Sequence, residues 1–179
     1  MRRAWLVLCC CFGLLGQACG PSGGSAIVDQ AAGDGPHHAS GWDLQLALST
    51  ESFSRPEDVV LEVRLINRGR HAATAIVDHP MLDYTALLTS QSDGRPLPLS
   101  RDGTALVERL RDGASPEFME VPGGSDWRVD LRLAEYFEIT QPASYSFVLR
   151  GEVVIHNKDG SESKTAVQSN VVSFHVRSE

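Results

Sequence analysis

The chain predicts an all-β fold, an antiparallel sandwich of roughly seven to nine short strands without a disulfide. Three observations carry this. From Trp42 onward apolar residues recur at every second position, and Gly, Asp, Asn and Pro turn signals break these runs into short segments. No long segment of this region keeps a helical period. All four cysteines, Cys9, Cys10, Cys11 and Cys19, precede the alternating region, so no cross-link is available inside it.

Trp42, Leu44, Leu46 and Leu48 fall on one face of the first strand, with Asp43, Gln45 and Ser49 on the other. Residues 59–66 repeat the pattern, with Val59, Leu61, Val63 and Leu65 inward and Glu62 and Arg64 outward, and Asn67-Arg68-Gly69 reads as a turn. Residues 71–77 predict a third strand and 84–89 a fourth, closed by Asp93-Gly94. Residues 95–120 scatter Leu97, Leu99, Leu106 and Leu110 among charges and predict mostly connection, with room for a short helix or strand. After Pro122-Gly123-Gly124, alternation returns with Trp127, Val129, Leu131 and Leu133. Tyr145, Phe147 and Leu149 lead to Gly151, where a bulge or bend is expected, and on to Val153 and Ile155. Asn157-Lys158-Asp159-Gly160 predicts a hairpin, residues 163–168 its returning strand, and Val172, Phe174 and Val176 the last one. No internal repeat suggests a propeller or solenoid.

Ahead of the alternating region the composition changes twice. Met1-Arg2-Arg3 is positive, residues 4–15 are uncharged and mostly apolar, and Gly16-Gln17-Ala18 supplies small residues, which together read as an export signal over residues 1–18. The apolar run is shorter than the ~20 residues that a spanning helix needs. Residues 20–41 are rich in Gly, Ser, Ala and Pro, the composition of a tether with a mean reach of roughly 25 Å. The expected organisation is a signal at 1–18, Cys19 and tether at 19–41, and a folded domain at 42–179.

Leu14-Leu15-Gly16-Gln17-Ala18-Cys19 resembles the lipobox of bacterial lipoproteins, whose cysteine is lipidated before cleavage on its N-terminal side. It departs from the usual pattern in placing Gly16, rather than Leu, three residues before the cysteine. Secretion without a lipid therefore stays open. Against it, the mature chain would carry Cys19 as a single unpaired thiol in an oxidising compartment, and acylation with a group such as palmitate removes that anomaly. Gly20 after Cys19 resembles the outer-membrane sorting class. Loss of the signal removes Arg2 and Arg3 and no acidic residue, moving the formal charge from -7 to -9, which argues against nucleic acid or an anionic bilayer surface as partner.

Pro142-Ala143-Ser144-Tyr145-Ser146-Phe147 has the shape of a tyrosine corner, with Phe147 where an antibody domain carries its cysteine. The run Asp58-Val59-Val60-Leu61-Glu62-Val63-Arg64-Leu65-Ile66-Asn67 extends the likeness. So do Val121-Pro122-Gly123-Gly124-Ser125, Asp130-Leu131, Tyr136 and Ser169-Asn170-Val171-Val172. Together these resemble the immunoglobulin-like accessory domain of deuterolysin-type metallopeptidases, which implies an immunoglobulin-like β-sandwich. The likeness rests on fold-forming positions. The zinc motif H-E-x-x-H is absent, so the peptidase activity is not implied.

Candidate chemistry is sparse. Gly20-Pro21-Ser22-Gly23-Gly24 matches the spacing of a hydrolase nucleophile elbow, yet it lies in the tether without the strand and helix that an elbow requires. His37-His38 shares the tether, and its expected state is solvated. Asp78, His79 and Asp83, on a loop after the third strand, form the best local polar cluster, readable as a metal-ligating or binding loop and more simply as an ordinary polar loop end. Tyr136-Phe137 predicts either a half-exposed binding patch or a plug closing the sandwich. Trp42 and Trp127 each head an apolar face and are expected to be buried.

The expected protein is a lipid-anchored, non-enzymatic binding or structural domain of a bacterial envelope. It would reach the membrane through the lipid on Cys19 and meet an envelope protein, with no cofactor and no nucleic acid. The alternative is a proteinase inhibitor presenting loops 78–84 or 103–116, and a third reading is a hydrolase with a dispersed site.

Overall fold

The computed structural model describes residues 41–140 and 142–178. The signal, Cys19, the Gly20–Gly24 run and His37-His38 lie outside them. Among the described residues are the strands β1 (Trp42–Leu48), β2 (Ser52–Phe53), β3 (Val60–Asn67), β4 (Ala73–Val77), β5 (Tyr84–Ser90) and β6 (Pro96–Leu97). They are followed by β7 (Glu117–Val121), β8 (Asp126–Arg132), β9 (Ala143–His156), β10 (Glu162–Gln168) and β11 (Val172–Val176). Two helices interrupt them, α1 (Pro80–Asp83) and α2 (Arg101–Asp112). Apart from the two-residue β2 and β6, nine strands remain, the upper end of the expected range.

The strands form two sheets. The smaller is antiparallel, in the order β1-β3-β8, and the larger runs β2-β11-β9-β4-β7, with β5 and β10 also on β9 and β6 on β5. Alternation places the inner faces. Val59, Leu61, Val63 and Leu65 are fully buried; the first three share a core with Phe147, Leu149, Leu88 and Val176 of the larger sheet, also fully buried, and Leu65 shares a second one with Ala75, Val121 and Val153. Each such side chain contributes roughly 1.5–3 kcal/mol through burial, so the paired inner faces hold the sheets together. The fold is thus the all-β sandwich that the alternation predicts, and all four cysteines precede the described residues.

β9 is the spine. Its first half pairs with β11 (Phe174↔Tyr145) and β5 (Leu88↔Phe147), and its second half with β10 (Thr165↔Val153) and β4 (Ala75↔Ile155). The bulge expected as one option at Gly151 is absent, because the strand runs through without a break and its pairing with β5 and β10 keeps one register across the glycine. The glycine answers a steric need instead. A Cβ there would meet the Asp83 carbonyl oxygen at 2.9 Å and the Tyr84 ring at 2.8 Å.

Other expectations are corrected by hydrogen bonding. Strand β4 begins at Ala73 rather than residue 71, because the buried Asn67 side chain donates to the carbonyls of His71 and Val121, each at 2.9 Å, and holds the intervening chain as a loop. Asp43, expected outward, is buried and pairs with Arg68 at 2.8 Å. Residues 95–120 are more regular than mere connection. Ser100 caps α2 by accepting from the Gly103 amide at 2.9 Å, and Val107 packs into the core. The Asp159-Gly160 hairpin forms as expected, with Gly160 at φ 81°.

Candidate functional site

The residues that the sequence singles out converge at one end of the sandwich. After β4 the chain reaches His79, whose extended backbone and ring make it the cap of α1, with Pro80 supplying the fixed φ of the first turn. The ring Nδ1 accepts the Met81 amide at 3.1 Å. With Nδ1 accepting, the neutral ring carries its proton on Nε2, which donates to the Tyr136 hydroxyl at 3.3 Å, and the two rings lie 5.9 Å apart. Asp83 Oδ2 accepts the Asp78 amide at 2.9 Å and so closes the turn from its other end. Three of the five predicted residues, His79, Asp83 and Tyr136, thus hold α1 in place through side-chain bonds.

Tyr136 and Phe137 are 3% exposed each, so they form the plug rather than the half-exposed patch. The Tyr136 carbonyl accepts the Ser100 amide at 2.9 Å, and Leu99 and Phe137 form an isolated antiparallel bridge. Gly103, inside α2, lies so close that any Cβ would overlap the Tyr136 backbone. The two segments expected as free inhibitor loops are likewise corrected. Residues 78–84 are a capped turn with Pro80, Met81 and Tyr84 buried, and most of residues 103–116 belong to α2. Apolar packing, with Met81 and Val107 in the same core, holds both segments down.

Electrostatics follow from this burial. Loss of water pushes the His79 ring below its ordinary value, against the opposing charges of Asp78 and Glu135. Burial raises Asp83, opposed by the Asp78 amide, and also raises Tyr84 and Tyr136. His79 Nδ1 and Asp83 Oδ2 each accept a backbone amide of the same turn, and the other nitrogen of the ring meets the Tyr136 hydroxyl. Among the described residues, no group of three His, Cys, Asp or Glu could hold a metal ion.

Two open clefts accompany the junction, the first away from it and the second beside Phe137. One of about 380 Å³ is lined by Ala47, Leu48, Ser49, Val60, Glu62 and Asp130, and another of about 400 Å³ by residues that include Leu97, Pro98, Ser100 and Glu138. Beside the first, Arg64 and Arg128 face each other across β3 and β8. Asp126 bridges them, accepting from Arg64 Nε at 2.6 Å and Arg128 Nε at 2.9 Å. The Arg64 hydrogen bond, with that of Arg128, holds the Asp126 carboxyl below its usual range. The strand pattern of residues 59–66 and 126–132 could have foretold this ladder, because outward positions of antiparallel neighbours meet in pairs.

The fold and this junction define an all-β sandwich with a hydrogen-bonded polar cluster around α1. No protein-family model matches the chain, and no curated protein sequence matches it. A solved X-ray structure, the Northeast Structural Genomics Consortium target SoR45, is similar at a TM-score of 0.34 with 11% identity, over 75% of this chain and 85% of that one. A likeness that distant bears on neither architecture nor activity.

Proposed function

We propose that the protein is a bacterial envelope lipoprotein, anchored through a lipid on Cys19, whose sandwich is a non-catalytic binding or structural accessory module. The observation that carries the reading is the placement of cysteine. Cys19 is the last cysteine of the chain, it follows a signal-type segment and small residues, and no partner thiol comes after it. A module of this kind needs a core that stands without disulfides. The two-part apolar core of the described residues meets that need, and none of their helices is long and apolar enough to cross a membrane. The non-catalytic part rests on the His79 junction, whose polar atoms already serve the fold. The outer membrane is the proposed destination, from Gly20 after Cys19.

The inhibitor reading loses support, because Pro80–Asp83 and residues 103–112 of these segments are helical and partly buried, which leaves only the stretch after α2 as exposed loop. Metabolic labelling with an alkynyl fatty acid in a bacterial host tests the anchor. Wild-type chain is expected to take up label and sediment with membranes, whereas Cys19→Ala does neither; equal labelling of both would refute the proposal.

A further inference from the structure

We infer that the outer edge of β7 and the sheet face beside it form a docking site for an extended polypeptide segment in which basic residues flank apolar ones. The inference deepens the accessory-module reading by naming the partner's chemistry.

Strand β7 ends the larger sheet and, among the described residues, pairs only with β4. One side of its backbone therefore offers the N–H and C=O groups that strand addition uses. Next to that edge is Phe118, which is 63% exposed, an unusual cost for a large apolar ring. It does not stand alone. Ile76 faces Phe118 on one side and Val154 on the other, so the three form an apolar row across β7, β4 and β9. The ring of Phe118 also meets the His156 ring edge-on at 5.2 Å.

Charge selects the occupant. Glu120, Thr74, His156 and Glu162 make a parallel row on one flank, Glu152 lies on the other, and Glu117 is exposed at the edge itself. Lys164, at the end of the apolar row, is 3.8 Å from Glu152 and leaves the remaining carboxylates unbalanced. A second copy would set Glu117 and Glu120 against their own kind on a chain of net charge -7, and like charges placed opposite each other destabilise a strand pair. A strand with Lys or Arg opposite these glutamates, and apolar residues opposite Phe118 and Met119, gains pairing, burial and charge complementarity together.

The test uses the full chain in detergent and two fluorescein-labelled peptides, Thr-Lys-Val-Val-Lys-Thr and Thr-Glu-Val-Val-Glu-Thr, read by fluorescence anisotropy. Added antiparallel, the first sets its lysines against Glu120 and Glu117 and its valines against Met119 and Phe118. Saturable binding of the lysine peptide is expected, with the glutamate peptide weaker by roughly tenfold or more. The double variant Glu117→Lys with Glu120→Lys should reverse that preference, and Phe118→Ala should weaken both, while all variants keep the wild-type circular dichroism. No saturable binding, equal binding of both peptides, or a preference that ignores the charge swap would overturn the inference. So would a free dimer in sedimentation that the double variant abolishes, since the occupant would then be a second copy. Cys19 labelling reads a different segment, so failure of either proposal is seen separately.

Discussion

Tyr145 and Thr140 are joined three times. The tyrosine hydroxyl donates to the Thr140 carbonyl at 2.9 Å, accepts the Thr140 amide at 3.0 Å and lies 3.2 Å from the Thr140 hydroxyl, pinning the entry of β9 to the turn before it. This is the tyrosine corner that the segment around Tyr145 predicts. Tyr145→Phe keeps the buried ring and removes all three bonds, and should cost about 1–3 kcal/mol in urea unfolding with an unchanged slope.

Asn67 is the polar counterpart of that corner. Its amide donates to His71 and Val121, and its carbonyl oxygen accepts the Gly69 amide at 2.9 Å. Asn67→Ala leaves a buried carbonyl without a partner, so roughly 2–4 kcal/mol of destabilisation is expected in the same assay. Asn67→Asp, which loses the two donated bonds but keeps the acceptor, should also destabilise.

Gly103→Ala should invert a general rule. An interior helical glycine replaced by alanine ordinarily stabilises by about 1 kcal/mol. Here the added methyl meets the Tyr136 backbone, and the variant should unfold at a lower temperature than wild type. Gly113→Ala is the control. It sits past the end of α2, where a Cβ finds its nearest neighbour at 3.4 Å, and it should change the midpoint far less.

His79 ties stability to pH. Its folded value lies below the ordinary 6.5, so the unfolded chain binds the proton more readily, and stability is lost as pH falls through 6.5 toward the folded value. Asp83 acts oppositely, since its raised value makes the folded chain the better proton acceptor on acidification. Measured as urea midpoint against pH, His79→Asn, which retains a capping side chain, should flatten the acid-side loss, and Asp83→Asn should steepen it.

Much of the fold was legible because strands alternate. Val59, Leu61, Val63 and Leu65 declare their face without reference to anything distant, and Tyr145 declares its corner. The helices were harder. Residue spacing at Gly103, Leu106, Val107 and Leu110 is helical, but an interior glycine weakens the local preference, and only contact with Tyr136 explains why glycine is there. At the candidate site, Asp78, His79 and Asp83 were legible as a cluster because they are close in sequence. Their union with Tyr136 was not, since it spans 57 positions. Asp43 misled for the same reason, because its partner Arg68 lies in another turn.

The position of β9 along the chain has a consequence for synthesis. Strands β4, β5, β10 and β11 all lean on residues 143–156, which are made after β4 and β5. Until then β4 and β5 lack their central neighbour, and the smaller sheet has one apolar face uncovered. A nascent chain built this way folds late. Completion of β9 does not by itself close the sandwich, because β10 and β11, which also pair with it, are made later still.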